Sequence, residues 1–535
     1  MRARTVPYVP PMPVALRADV TVVEVPVVVR DGRHRAVAGL TRDDFELYDS
    51  GRRQTITAFS VQHLAPQAGG GAGATPAAPA HTAAPQTTPR PRFVALCFDD
   101  LHTGAADLKA AKDAAERFVK TSLALDDRVA VVTTAAPSEH PAFTADVPRL
   151  IEQIARVASR ERSDYGYCPP MEAYEAYLIA NSMDKALLAS KLAECAACNH
   201  QPACPETQVT SLAQSVWEHT LANSTSTLRL VGSLVDGMAN LPGERMILLT
   251  SANLLTGNLE SDVDRLISRT LHAGVVINSL DAKRLHAAAE ASEPSPSAWV
   301  PPRAQAVKMR TEAPMQEARN DGMALLAAGT GGAFYHGNND LASGFRELGM
   351  VPETLYILSF APSGVPADGR FHSLKVRLAA GKRYSLQARL GYTASSPNAA
   401  PPSPPSRLDS EAMASDTIAD LPAWFTWEQW EGPPGITMVA HLDVNRLHFE
   451  TRQDRRTQKL TIVAVLLDSH GSFVTGKRSE LELNFTNATF SQLAKSGLTV
   501  AMTMPAPPGN YGVRALAQDA LEGKLTAAGG TVHVK

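Results

Sequence analysis

Short apolar runs rich in β-branched residues occupy both flanks of the chain. VTVVEVPVVV begins at residue 20, and FELYDSGRRQTITAF follows it with Ser50-Gly51 at its turn. ETLYILSFAP, FHSLKVRLA and YSLQARLGY occupy residues 353–392, and similar runs fill residues 433–535 with no long helix between them. Runs of this composition, bounded by turn residues, predict strands. We therefore expect β structure on both flanks and an immunoglobulin-like sandwich at the C-terminal end.

The central part of the chain alternates between strand and helix patterns. RFVALCFDD, RVAVVTTA, RMILLTS and GVVINSLDA are apolar runs of strand length. Between the first two lies DLKAAKDAAERFVKTSL, whose Leu108, Ala111, Ala115, Phe118 and Val119 recur on one helical face. Alternating strands and helices predict a Rossmann-type domain, in which a mostly parallel sheet carries helices on both faces.

Two stretches rich in Ala, Pro and Ser or Gly separate these regions, and 535 residues exceed what one core holds. The β segments on either side of the central domain are each too short to bury a core alone. We therefore predict that they pair into one β-sandwich into which the α/β domain is inserted. The predicted order is a β segment 14–64, a flexible linker 65–91, the α/β domain 92–350, a β segment 351–392, a linker 393–432 and a β-sandwich 433–535.

Charge and hydropathy exclude two classes of partner. The net charge of −3 provides no general attraction to nucleic acid or to an anionic membrane surface. No apolar run approaches the ~20 residues that a transmembrane helix needs. The N-terminal sequence MRARTVPYVPPMPVALRADV has a basic start but no apolar core, so no signal peptide is visible. Either the protein is cytoplasmic, or a signal was removed or the start codon is misassigned.

Four of the five cysteines crowd an insert at residues 163–207. An even cluster in an insert predicts two disulfides, with the pairing left open, and hence an oxidising, extracytoplasmic compartment. A Cys₃His zinc site with His200 and a redox-active Cys195–Cys198 pair are the alternatives. Cys97 lies in an apolar strand pattern, which predicts a buried thiol. The clustered cysteines are Cys168, Cys195, Cys198 and Cys204.

Seven stretches of the chain carry a resemblance to a known family. They are VVVRDGRHRAVAGLTRDDFELYDSGRRQTITAFS, FDDLHT, VVINSLDA, GTGGAFYH, YILSFAP, DGRFHSLKVRL and ARLGY, and they span residues 22–392, about 70% of the chain. These stretches resemble the acidobacterial VWFA-related family, whose members contain a von Willebrand factor A-like (VWA) domain. The resemblance implies a VWA-like fold and protein–protein binding, and it carries no established reaction.

The family resemblance also implies a metal-ion-dependent adhesion site. In VWA domains Asp-x-Ser-x-Ser ends the first strand, and a later strand ends in Thr-Asp-Gly. Asp99 matches the first Asp, Leu101 replaces the first Ser, and Thr103 can replace the second. Thr144 can match the threonine of a following loop, whereas Ser251 replaces the later aspartate and removes a charge.

Two other acidic residues could compensate for these losses. Asp100 and Asp281 are expected at the same sheet edge, with His102 nearby. The resemblance therefore suggests a Mg²⁺ or Ca²⁺ site. The alternative is a vestigial site whose aspartates cap helices and turns. The candidate ligands are Asp99, Thr103, Thr144, Ser251 and Asp281.

Enzyme motifs are missing from the sequence. It contains no Gly-x-Ser-x-Gly, no His-Glu-x-x-His and no Walker loop, so we do not expect an enzyme. Trp424, Trp427 and Trp430 have helical spacing, which predicts packing against the last domain or, alternatively, a carbohydrate-like platform. The overall expectation is an extracytoplasmic binding or adhesion protein with an unidentified protein partner. The alternatives are an envelope-assembly scaffold without metal-dependent binding and a cryptic hydrolase or redox protein.

Overall fold

The computed structural model combines one parallel sheet with several antiparallel sheets. Within the described part of the chain, no helix is both long enough and apolar enough to span a membrane. Of the predicted linker 65–91, only residue 91 is among the described residues. Residues 14–22 of the predicted first β segment also lie outside them. The structure describes residues 2–10, 23–32, 36–63, 91–124, 126–135, 142–161, 167–283, 302–350, 354–362, 371–379, 384–388, 391–393, 406–430, 432–452, 455–468 and 471–535.

The central α/β domain is built on a parallel sheet in the order β10-β9-β8-β6-β7. Its strands are buried on both faces, which explains their continuous apolar runs. Strands and helices are numbered in chain order over the whole molecule. The elements of this domain are β6 (Arg92–Phe98), β7 (Asp127–Thr133), β8 (Glu244–Ser251), β9 (Val276–Asp281), β10 (Phe334–Tyr335), α1 (Ala105–Thr121), α2 (Val147–Arg156), α3 (Ala173–Ala180), α4 (Lys185–Cys198), α5 (Glu206–Met238), α6 (Glu260–Ala273), α7 (Pro302–Thr330) and α8 (Leu341–Gly349).

Alternate side chains of β6 enter two different cores. Phe93 and Ala95 pack with α5, α6 and α7, whereas Val94 and Leu96 pack with α1, α2 and α8. Because successive strand residues point to opposite faces, these helices cover the two sides of the sheet. The arrangement of a parallel sheet with helices on both faces is as predicted.

The two β segments that flank the α/β domain form one pair of sheets. One sheet has the order β13-β2-β11-β5 and the other β14-β12-β3-β4, so each contains strands from before and after the α/β domain. Their facing side chains share one core. The predicted pairing across the insertion is therefore confirmed. The elements are β2 (Val23–Arg30), a short 3₁₀ helix (Arg42–Asp44), β3 (Phe45–Asp49), β4 (Arg52–Gln54), β5 (Ile56–His63), β11 (Thr354–Phe360), β12 (Phe371–Leu378), β13 (Ser385–Ala388) and β14 (Gly391–Thr393).

The predicted hairpin turn at Ser50-Gly51 is present between β3 and β4. Ser50 has a φ of 48° and Gly51 a φ of 82°. A two-residue turn with positive φ at both positions matches the right-handed twist of the strands that it joins. Local turn chemistry was thus sufficient to place this hairpin.

The C-terminal domain consists of two antiparallel sheets that share a core. The larger has the order β1-β20-β19-β22-β23-β15 with β18 beside β19, and the smaller is β16-β17-β21. Its elements are β1 (Arg2–Pro7), α9 (Arg407–Met413), β15 (Ile418–Ala419), β16 (Ala423–Gln429), β17 (Gly435–Leu442), β18 (Glu450–Arg452), β19 (Arg455–Leu467), β20 (Phe473–Thr486), α10 (Asn487–Ser496), β21 (Leu498–Pro505), β22 (Gly509–Asp519) and β23 (Leu525–Val534).

Three features of this domain differ from the expectations. The predicted linker 393–432 contains α9, β15 and β16, because its apolar residues are used by the C-terminal cores. Trp424 and Trp427 lie on strand β16 rather than on a helix, and strand alternation exposes the first and packs the second against the core. The N-terminal strand β1 was not predicted. It joins the sheet at its edge by pairing with β20.

Helix α9 joins the α/β domain to the C-terminal domain through buried charge. Glu411 forms an ion pair with Arg128, which lies on β7. Arg514 of β22 donates from Nε to the Glu411 backbone oxygen at 3.0 Å. Asp409 of the same helix accepts a 3.0 Å hydrogen bond from the Tyr8 hydroxyl. One short helix therefore contacts the chain's N-terminal residues, the parallel sheet and the last domain.

Tyr356→Phe tests the pairing across the insertion. The buried Tyr356 hydroxyl, on the return strand β11, donates to the Val37 backbone oxygen at 2.7 Å and accepts from Leu40 N at 3.3 Å. Its loss leaves two buried backbone groups unpaired and should cost about 2 kcal/mol of local stability. Amide hydrogen exchange of β2 and β11 measures this cost. Tyr384→Phe, at a side chain that is 39% exposed, is the control and should leave exchange unchanged.

Candidate functional site

The carboxyl end of the parallel sheet collects polar side chains, as sheets of this type do. Asp99 follows β6, Thr134 follows β7, and Ser251 and Asp281 end β8 and β9 as paired neighbours. All four side chains are buried. The sequence therefore identified the correct edge, but the edge is closed to solvent in this conformation.

Asp99 is the centre of a hydrogen-bond network that we call the Asp99 network. Its Oδ1 accepts from the Thr227 hydroxyl at 3.2 Å and from the Thr134 hydroxyl at 2.9 Å. Thr134 shares its one hydroxyl hydrogen with Asp100 Oδ1, which lies 2.8 Å away. Its Oδ2 accepts from Ser251 Oγ at 2.7 Å and lies 2.8 Å from His102 Nδ1. Each carboxylate oxygen thus has two partners, and the partners come from four parts of the chain.

These partners determine the charge of the buried carboxyl group. Burial by itself would raise the pKa of Asp99 by penalising the anion. The neighbouring His102 and the hydrogen bonds from Ser251 and Thr134 outweigh that effect and hold the pKa below its ordinary value. Asp99 is therefore a stabilised carboxylate at neutral pH.

Helix α5 contributes two of the polar groups at this edge. Thr227 bonds Asp99, and Ser224 Oγ lies 3.3 Å from His102 Nε2. Neither residue was predicted from the sequence to lie at this edge. A signal was present, because Ser224 and Thr227 are three apart on a helix and continue the face occupied by Leu228, and polar residues on a buried face need partners.

The chain Asp99–His102–Ser224 has the order of groups that activates a serine nucleophile. However, Ser224 lies within helix α5 and has no exposed surface. A nucleophile must contact its substrate, and no substrate can reach this hydroxyl in the present conformation. The arrangement instead connects helix α5 to the sheet.

The other predicted ligands, Thr103, Thr144 and Asp281, are not among the hydrogen-bond partners of Asp99. The Thr144 hydroxyl donates to Asp416, in the segment after α9. Asp281 Oδ1 accepts from Lys283 N at 2.9 Å, although burial outweighs this bond and raises the pKa of Asp281. Thr103 Oγ1 is buried, and no described residue is its hydrogen-bond partner. Asp100 Oδ1 accepts from Ala135 N at 2.8 Å, so it caps the chain after β7.

These positions test whether the edge fits the divalent cation that the family resemblance implies. Mg²⁺ and Ca²⁺ need about six oxygens with free lone pairs. Among the predicted ligands, all of which the structure describes, Asp99 and Ser251 are the one pair that hydrogen-bonds to each other. The lone pairs of Asp99 are already used by protein donors. Among the described residues, no group of three or more His, Cys, Asp or Glu side chains could hold a metal ion. The edge therefore does not fit the implied cation.

The cysteine insert forms a helical cap, which we define as α3, α4 and the N-terminal half of α5. Cys168 pairs with Cys198 and Cys195 with Cys204, with Cα separations of 6.0 and 5.8 Å. The prediction of two disulfides is confirmed, and the zinc alternative is wrong because these sulfurs bond each other. Cys97 is a buried thiol, as expected.

The helical cap packs on the loop after β8 and on α7. Leu255 lies in its core, and the Tyr177 ring lies against Gly257. Inside the cap, Lys191 Nζ is buried 2.8 Å from Glu175 and 3.1 Å from Glu194. Since α5 continues from the cap to the Asp99 network, the insert holds the helix that closes the sheet edge.

The chain was compared with protein-family models and with curated proteins. No protein-family model matches the chain, and no curated protein matches its sequence. The interpretation of the site therefore depends on its own geometry.

Asp99→Asn should destabilise the protein by about 2–4 kcal/mol at neutral pH, because an amide cannot accept all four contacts. Since the pKa of Asp99 is lowered in the folded state, the ionised carboxylate contributes its full stabilisation above the ordinary pKa of 3.8. This stabilisation is lost as the pH falls through the folded-state pKa. Urea unfolding should therefore show a smaller difference in stability between wild type and Asp99→Asn at about pH 3 than at about pH 7.

Asp113→Asn is the matched control for this measurement. Asp113 lies on α1, where its half-exposed carboxylate is 2.7 Å from Lys109 Nζ. Its replacement should change stability by less than about 0.5 kcal/mol. If Asp99→Asn is equally mild, the network does not stabilise the fold.

Removing each disulfide should loosen the cap to a different extent. The Cys168–Cys198 bond closes 30 residues and the Cys195–Cys204 bond closes 9. Loop entropy predicts losses of about 4 and about 3 kcal/mol respectively for the paired Cys→Ala variants. Hydrogen exchange of α4 measures the losses, and peptide mapping without reduction checks the pairing. Recovery of a Cys195–Cys198 bond would contradict the arrangement.

Proposed function

We propose that this chain is an extracytoplasmic protein-interaction scaffold with a VWA-like domain that binds its partner without a metal ion. The observation that carries the proposal is the Asp99 network, in which protein donors take the place that a cation would need. This corresponds to the assembly-scaffold alternative rather than to metal-dependent adhesion.

The topology supports the VWA-like part of the proposal. A parallel sheet with helices on both faces carries an aspartate directly after its first strand, β6. The domain is inserted into a β domain at two points, since β5 precedes it and β11 follows it and the two strands pair. An immunoglobulin-like assignment of the C-terminal domain is consistent with two antiparallel sheets around one core.

Two disulfides support the extracytoplasmic part. Both lie in the helical cap, and such bonds persist in oxidising compartments. Because the cap closes the sheet edge, partner contacts would use other surfaces. A scaffold of this kind provides fixed geometry between domains, which the buried Glu411–Arg128 ion pair at the junction also favours.

Metal independence is tested by thermal unfolding of the full chain with Mg²⁺, Ca²⁺ or Mn²⁺ at millimolar concentration and with chelator. A ligand that binds only the folded state raises Tm, so we expect Tm to stay within about 1 °C in all conditions. Asp99→Asn is measured in parallel and should also be insensitive. A cation-dependent rise in the wild type that Asp99→Asn abolishes would overturn the proposal.

Partner binding is tested by affinity capture from the native cell envelope. The same partner should be retained with chelator and with added Mg²⁺. Loss of the partner on chelation would favour metal-dependent adhesion instead.

A further inference from the structure

The C-terminal domain contains a cavity of about 390 Å³ that the proposed function does not use. It lies between the β15–β16 segment, the turn after β17 and the β22–β23 turn. Its volume is in the range that binds small ligands. The described residues that line it all belong to the C-terminal domain, so the cavity is separate from the Asp99 network.

The wall of this cavity has an excess of carboxylates. It holds four acidic side chains and two permanent cations, which leaves two negative charges when His448 is neutral. One pair cancels, since Lys524 Nζ lies 2.9 Å from Glu522. Such a wall attracts a cation and repels an anion. The charged residues are Asp420, Asp443, Asp519, Glu522, Arg446 and Lys524.

Asp519 contributes a buried charge to this excess. It is 2% exposed, and its Oδ1 accepts from Glu522 N at 2.7 Å. Its Oδ2 is buried and has no hydrogen-bond partner among the described residues. Because this oxygen is itself covered, it acts on a ligand through space and not by contact. A charge that water screens poorly acts strongly, so a cation in the cavity would offset part of the cost of burying Asp519.

Asp420 and Asp443 are the acidic side chains that a ligand can contact. Asp420 is exposed just before β16, and Asp443 is partly exposed just after β17. Asp443 Oδ1 accepts from Asn445 N at 3.1 Å, which holds this side chain in place. Carboxylates bond cationic N–H donors about twice as strongly as neutral donors do with neutral acceptors.

Trp424 adds an aromatic face to this wall. It is 56% exposed on β16, and its ring stacks on His441 of the neighbouring strand with centroids 5.2 Å apart and planes 9° apart. Thr426 Oγ1 lies 3.1 Å from His441 Nε2 and helps to hold that ring. Since His441 covers one face of the indole, the exposed surface includes the opposite face. The face of an indole attracts cations more strongly than other aromatic side chains do.

We propose that this cavity binds a guanidinium cation, which stacks on Trp424 and donates N–H groups to Asp420 and Asp443. A guanidinium is planar and can lie flat on the indole, and its fixed fork of donors matches carboxylates. The group can belong to a free small molecule or to an arginine side chain of a protein partner. The proposal does not depend on the scaffold function, because every residue that it uses lies in the C-terminal domain.

The test titrates N-acetylarginine amide by calorimetry into the full-length protein, beside N-acetylcitrulline amide. Citrulline has the same shape but carries a neutral urea in place of the guanidinium. We expect the arginine compound to bind about tenfold more tightly or better, because the attraction depends on charge. Raising NaCl from about 0.05 to about 0.5 M should weaken its binding several-fold.

Three variants locate the binding at this wall. Trp424→Ala and Asp420→Asn should each weaken arginine binding by about threefold or more. Arg446→Gln should tighten it by a similar factor, because it removes a like charge from the wall. Damage to the fold would not tighten binding. All three side chains are exposed, so the variants should fold, which circular dichroism checks.

Two matched controls separate the cavity from general effects. Trp430→Ala removes another exposed tryptophan, 37% exposed and outside the cavity. Lys459→Gln removes an exposed cation on β19, which lies 3.1 Å from Glu482. Both variants should bind N-acetylarginine amide as wild type does.

Two further probes distinguish the sources of the guanidinium. Agmatine represents a free small molecule, and a blocked pentapeptide of glycines with one central arginine represents a protein partner. Tighter binding of either one supports the proposal and assigns the source.

Three results would overturn the proposal. The first is no heat of binding with N-acetylarginine amide at millimolar concentration. The second is equal binding of the arginine and citrulline compounds, because the site would then not recognise charge. The third is arginine binding that Trp424→Ala, Asp420→Asn and Arg446→Gln all leave unchanged.

Discussion

The need to compensate one buried carboxylate, Asp99, organises the centre of this protein. A charge removed from water is tolerated where hydrogen bonds or an opposite charge replace the solvent. Asp99 obtains hydrogen bonds from His102, Thr134, Ser251 and helix α5. The helix must therefore cross the sheet edge in one register, and the disulfide-bonded cap holds it there. The sheet edge at which the sequence resemblance implies an open metal site is here an internal junction.

The same principle operates where domains meet. Glu411 is buried against Arg128, and its backbone oxygen accepts from Arg514 Nε, so charged groups of two domains meet on a short helix. Glu411 Oε2 and Arg514 Nη2 are buried without a hydrogen-bond partner among the described residues. Together with the strand pairing on either side of the inserted domain, the Glu411–Arg128 contact fixes the α/β domain at both of its connections. Such a molecule is suited to presenting surfaces at fixed positions, as the scaffold function that we propose requires.

The C-terminal cavity shows the opposite condition. The Asp99 carboxylate has protein partners on both oxygens, whereas Asp519 has a partner on only one of its two. The first arrangement closes a site, whereas the second leaves a buried acceptor without a donor among the described residues.

The sequence by itself determined the alternating strands and helices of the α/β domain, the insertion layout, the hairpin at Ser50-Gly51 and the presence of two disulfides without their pairing, because periodicity, turn residues and cysteine count act locally or by simple exclusion. Tertiary structure decided which groups meet. Thr227 bonds Asp99, 128 residues away in the sequence, and Thr144 bonds Asp416, 272 residues away. No local sequence pattern specifies a partner at such separations. It also decided that AWFTWEQ forms a strand, since pairing with β17 overrode the helical spacing of its tryptophans. Burial and long-range pairing, which need the whole fold, thus decided the hydrogen-bond partners of the residues that the sequence proposed as metal ligands.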